Sequence, residues 1–75
     1  MNRKRKIKQM RKFINKYGVT KTEYVRPKDE YYSKESYHAV FDSEKLDMIC
    51  CVGHIDKYHV YKNIVREIKD ELKEL

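Results

Sequence analysis

Apolar side chains at Ile7, Met10, Ile14 and Tyr17, with Phe13 beside them, recur three and four residues apart. That spacing predicts an amphipathic helix over about residues 3–17, with Lys8, Arg11, Lys12, Asn15 and Lys16 on the opposite side. Gly18 then offers the left-handed position that commonly ends a helix. Residues 22–25 turn to strand formers, and Pro27 stops that run by removing a backbone donor and restricting Arg26, which predicts a short edge strand. Residues 28–35 are polar around Tyr31 and Tyr32 and read as an exposed loop or hairpin arm. β-Branched, aromatic and cysteine residues dominate 36–41 and 47–53, and the turn-forming Asp42, Ser43, Glu44 and Lys45 between them complete a predicted hairpin. The unbroken apolar run Met48, Ile49, Cys50, Cys51, Val52 predicts a strand covered on both faces, in the middle of the sheet. From an N-cap at Asp56, the positions Tyr61, Ile64, Val65, Ile68, Leu72 and Leu75 follow the helical period almost to the end of the chain. The outer face of that helix mixes both signs of charge, with Arg66 and Asp70 spaced for an i,i+4 pair, and reads as solvated surface.

The pattern describes an α+β fold in the order α-β-β-β-α. A three-stranded antiparallel sheet carries both helices on one face, and the other face is left open. Seventy-five residues suffice for one small core, so the whole chain, 1–75, is expected to form one domain with a basic N-terminal arm and helix at 1–17. A chain of this size has little protein with which to wall a deep pocket, so a binding role is expected before an enzymatic one.

Charge sharpens that expectation. The chain holds 18 Lys and Arg against 12 Asp and Glu, but nine of the cations and none of the acids fall within residues 1–22. Arg3, Lys4, Arg5, Lys6, Lys8, Arg11, Lys12 and Lys16 stand at and just after a helix N-terminus, where the macrodipole disfavours each by about 0.3 to 1 kcal/mol. Cations gathered where they weaken their own helix imply an external anion, and a polyphosphate chain is the expected one. The same segment also carries an amphipathic stripe of the kind that binds anionic membrane, but its apolar face is modest, and no run approaches the roughly 18 apolar residues of a membrane span. Lys8 directly after Ile7 leaves no apolar stretch for a signal peptide. Two adjacent cysteines cannot build a disulfide framework, so a reducing compartment, the cytoplasm, is expected.

Cys50, Cys51, His54 and His59 invite a zinc reading, yet neighbouring strand residues point to opposite faces and no Cys-x-x-Cys pair is present. Buried free thiols are the expected state, with no metal and no cofactor. His38, His54 and His59 could each serve as a base, but no spacing ties one to a nucleophile, and neither a phosphate-cradling glycine loop nor a nucleophile elbow occurs. No catalytic residue is assigned and no enzymatic activity is expected. Tyr17, Tyr58 and Tyr61 fall on helix faces. Tyr24, Tyr31, Tyr32 and Tyr37 fall on or around the sheet, where they either stack bases or pack against protein.

The order of elements, with Tyr37-His38-Ala39-Val40-Phe41 as a second strand and Cys51-Val52-Gly53 followed by Asp56-Lys57 as a third strand and the opening of the last helix, resembles the double-stranded-RNA-binding domain. The resemblance spans roughly residues 7–75 and is one of topology. It implies RNA contacts from the first helix (Arg11, Lys12, Lys16), from the loop between the first two strands (Lys28, Lys34) and from the start of the last helix (Lys57), made to shape and phosphates. The family's Lys-Lys-x-Ala pattern is absent, since Tyr58 and His59 follow Lys57, so the basic surface is expected to have moved to the N-terminal arm. The expected function is a small non-enzymatic nucleic-acid-binding protein with RNA favoured over DNA and low sequence specificity. The alternative is a compact inhibitor or adaptor of the phage accessory type that docks on another protein, within a ribonucleoprotein complex or outside one.

Overall fold

Five elements follow one another as α1 (Arg3–Asn15), β1 (Val19–Arg26), β2 (Ser36–Ser43), β3 (Met48–His54) and α2 (Lys57–Glu74) in the computed structural model, which describes residues 2–74 apart from the side chain of Thr22. The predicted α-β-β-β-α order is the one observed. Leu75, expected on the inner face of the last helix, lies outside the described residues.

Asn2 caps α1, its side-chain oxygen accepting the Arg5 N–H at 2.9 Å, and the first turn carries no acid. The helix stops at Asn15, two residues short of the expected end, because the amides of Tyr17 and Gly18 both turn back to the Ile14 carbonyl, at 3.0 and 3.2 Å. Gly18 is not left-handed. Its role is clearance: a Cβ there would stand 2.2 Å from the Asp42 carbonyl oxygen and 2.9 Å from the Ser43 Cα. Buried Ser43 fastens the same crossing by donating to the Tyr17 carbonyl at 2.5 Å and accepting the Leu46 N–H at 3.0 Å.

The antiparallel sheet runs β1-β2-β3, so β2 is the central strand and β3 is an edge. This corrects the expectation drawn from the apolar run 48–52. A tight turn at Glu44–Asp47, with Asp47 at φ 50, joins β2 to β3, and β1 pairs on the other side of β2 after the 27–35 loop. The run in β3 hides an ordinary alternation, in which Met48, Cys50 and Val52 face the core while Ile49, 70% exposed, and Cys51 face outward. Cys51 is therefore exposed and Cys50 only half-buried, against the expectation of two buried thiols. Desolvation, then Glu67 and Cys51, push the Cys50 thiol above its ordinary value.

β1 is eight residues long where the sequence predicts four, since pairing with β2 draws Val19, Thr20 and Lys21 into the ladder. Between Lys21 and Tyr24 the register slips, a bulge that turns Glu23 toward α2 and lays Tyr24 on the open face. The core comprises Ile14, Ala39, Phe41, Leu46, Val60, Tyr61, Ile64 and Ile68, closed between one sheet face and the two helices. α2 lies over β2 and β3, and α1 lies against α2 and β1. The helices run in the same direction, because Arg3 meets Asp56 at one end and Phe13 lies beside Lys69 further along. Among the described residues, no helix is long and apolar enough to cross a membrane, and Arg66 and Asp70 form no ion pair.

Asp56 caps α2 as expected, accepting the Tyr58 N–H at 3.0 Å. It also binds Arg3 of α1 at 2.5 Å and His59 at 3.0 Å. Partial burial works against its charge, but the Tyr58 amide, then His59 and Arg3, hold the carboxyl below the usual carboxylate range. A lowered folded-state pKa means the contribution is present above the unfolded value and fades as pH falls through the folded one, here below about pH 4. Asp56→Ala is expected to cost about 1 to 2 kcal/mol in urea unfolding at neutral pH. The loss should shrink toward pH 3, and equal losses at both pH values would contradict the charged role.

Candidate nucleic-acid interface

Lys4, Lys8, Lys12 and Lys16 stand four residues apart and form one row along the exposed side of α1 and its C-cap, about 18 Å long. Arg5 lies beside the row near its start, and all five side chains are exposed. Cations four apart repel, at roughly 0.2 to 0.5 kcal/mol per pair. Nothing within the fold offsets this, because among the described residues none of these five forms an ion pair with a carboxylate.

The two arginines that flank the stripe behave differently. Arg3 is paired with Asp56 and lies 5.2 Å from the centre of the Tyr58 ring, and Lys6 lies 5.8 Å from the same ring, with no carboxylate partner among the described residues. Arg11 donates to the hydroxyl of Tyr61 at 2.5 Å, reaches Glu23 at 3.4 Å and sits 5.0 Å from the Tyr61 ring. The Tyr61 hydroxyl in turn donates to Glu23. Its bond to Tyr61, against the cost of desolvation, holds the Arg11 guanidinium above its ordinary value, and burial raises the Tyr61 hydroxyl. This chain ties α1 to β1 and α2, so Arg3 and Arg11 also serve the fold, although their side chains stay 66% and 45% exposed. Tyr61→Phe is expected to cost about 1 to 2 kcal/mol in chemical denaturation.

Lys28 and Lys34 project from the 27–35 loop, which has its own internal order. Asp29 accepts the amides of Tyr31 and Tyr32 at 2.8 and 2.9 Å and pairs with Arg26 at 2.7 Å. Those bonds, the Tyr32 amide first, hold its carboxyl below the usual range. Tyr31 is left 91% exposed at the loop's tip. Because Tyr37 pairs with His54, this loop leaves the sheet at the end where α2 begins, and the Arg3–Asp56 bridge brings the start of α1 to the same end. Lys57, exposed on the first turn of α2, stands there too. The fold thus brings the beginning of the lysine row, the loop and Lys57 to one end of the molecule, while Lys12 and Lys16 lie toward the other.

Not all of the tyrosines remain available. Tyr24 stacks on His38 with ring centres 5.1 Å apart, and Tyr32 meets the same imidazole edge-on at 5.7 Å, all on the open sheet face. Gly53 makes this possible, since a Cβ on it would stand 2.5 Å from the His38 ring. His54 and His59 stack at 4.6 Å beside Asp56. The hub at Asp56 and the Arg11–Tyr61–Glu23 chain were not read from the sequence, because contacts across 38 to 53 residues leave no local pattern. No cluster of three metal-ligating side chains occurs among the described residues. Compared with known proteins, the chain matches no family model, no curated protein and no solved structure.

Proposed function

We propose that this chain is a non-enzymatic nucleic-acid-binding protein whose preferred target is duplex RNA, held through phosphates by α1. The observation that carries the reading is the row Lys4, Lys8, Lys12, Lys16, a line of charge that no carboxylate neutralises among the described residues. Two further features support it. Both helices share one face of a three-stranded sheet, the arrangement found in double-stranded-RNA-binding domains, and the loop bearing Lys28 and Lys34 and the helix start at Lys57 lie at the end where the row begins. A row of ammonium groups that winds gradually along a helix meets phosphates without reading bases, so recognition rests on duplex shape and sequence preference is low. The proposed setting is the cytoplasm, where an exposed free thiol such as Cys51 stays reduced.

A salt series with labelled RNA duplex, DNA duplex and single-stranded RNA tests the reading. Neutralising about five phosphates gives a log–log slope of about −4.5 for a duplex, with the RNA duplex bound tightest. A flat salt response, or no binding at low salt, refutes it.

A further inference from the structure

The two edges of the sheet differ in kind. β1 is guarded by its bulge, by Lys21, Glu23 and Arg26 along the strand, and by Pro27 at its end, devices that keep another strand from pairing. β3 has none of them. From Met48 to Gly53 it carries no charge, no proline and no bulge, its seven residues pair with β2 in unbroken register, and no backbone hydrogen bond reaches its outer side among the described residues. An edge of this kind offers free donors and acceptors for one more strand.

What lies above the edge indicates which strand fits. One flank of α2 is occupied by α1, through Tyr58, Val65 and Lys69. The opposite flank, over β3, carries Glu67, Glu71 and Glu74 one turn apart, and Glu67 lies close enough to bear on the Cys50 thiol. Among the described residues none of the three forms an ion pair. On the other side of the edge, Ile49 and Cys51 present an apolar surface. A second copy of this chain fits poorly, because a two-fold axis at β3 would set Glu67 against its own symmetry mate.

We infer that the β3 edge docks an extended segment of a partner protein as a fourth strand, with cationic side chains turned toward α2 alternating with apolar ones turned toward Ile49 and Cys51. This goes beyond the RNA reading and does not depend on it, since α1 lies over β1 and leaves the β3 edge free.

The test uses the full chain and a labelled peptide of alternating Lys and Val, seven residues long, in fluorescence anisotropy. Saturable binding is expected, together with slowed amide exchange at residues 48–53. A peptide with proline at the central position retains its charge but cannot complete the ladder, and should bind at least tenfold more weakly. The exposed pair Glu67→Lys and Glu74→Lys, checked for unchanged circular dichroism, should lose binding by a similar factor. Replacing Lys4, Lys8, Lys12 and Lys16 with glutamine should leave peptide binding intact even as RNA binding is lost, which separates the two sites. Equal affinity for the two peptides, no exchange protection in β3, or a concentration-dependent doubling of mass without peptide overturns the inference.

Discussion

Replacing Lys4, Lys8, Lys12 and Lys16 together by glutamine is expected to weaken RNA binding about a thousandfold near 0.1 M salt and to make the free protein more stable. The first effect follows from counterion release: each phosphate contact contributes about 0.9 to the log–log salt slope, so four lost contacts remove roughly three to four powers of ten over the decade below 1 M. The second follows from the geometry of α1. Three like-charged pairs four residues apart vanish, while the dipole effects, unfavourable for Lys4 in the first turn and favourable for Lys12 and Lys16 at the other end, largely cancel, for a gain of about 1 kcal/mol in urea unfolding. The opposite signs make the experiment decisive. If the row only hydrated the surface, stability would rise and binding would not change. If the lysines held the fold together, both would fall. Filter binding and denaturation on the same preparation distinguish these outcomes.

Gly18→Ala is expected to destabilise the protein by about 2 to 3 kcal/mol, lowering the melting temperature by on the order of 15 °C in a domain this small. Gly18 does not have a positive φ. A glycine whose backbone suits any residue ordinarily gains about 0.4 to 1 kcal/mol when replaced by alanine, because the unfolded chain loses freedom. Here the added methyl would meet the backbone at Asp42 and Ser43 and the ring edge of Phe41 at 2.9 Å. Backbone cannot rotate aside as a side chain can, so the crossing of the α1–β1 link over the end of β2 must open. A thermal melt equal to or above that of the parent protein would show that the crossing has slack.

The elements legible in the sequence were those whose own periodicity carries the information. The stripe Ile7, Met10, Ile14 defines α1, the stripe Tyr61, Ile64, Ile68 defines α2, and the Asp56 cap lies where its side chain can close the first turn of the helix. The sequence predicts a central β3 because an apolar run looks the same on a buried strand as on an edge whose exposed positions happen to be Ile49 and Cys51. The sequence predicts a shorter β1 because Val19 and Thr20, though strand formers, stand between Gly18 and Lys21 in a run too brief to read as strand until it pairs with Asp42, Phe41 and Val40. The candidate site divides in the same way. The row of lysines is a local pattern that the sequence displays in full. The ion pairing of Arg3 and Arg11 is not, since their partners Asp56 and Glu23 lie 53 and 12 residues away.

By itself the sequence determined where the helices run, the order of the five elements and the gathering of positive charge at one end, because these depend on residues within a turn or two of each other. Only the tertiary structure decided which strand is central, which cysteine meets solvent, which cations pair with carboxylates and which sheet edge stands open. Those outcomes depend on a bulge, on a backbone crossing that tolerates no side chain, and on ion pairs between distant segments, none of which is encoded in any local spacing.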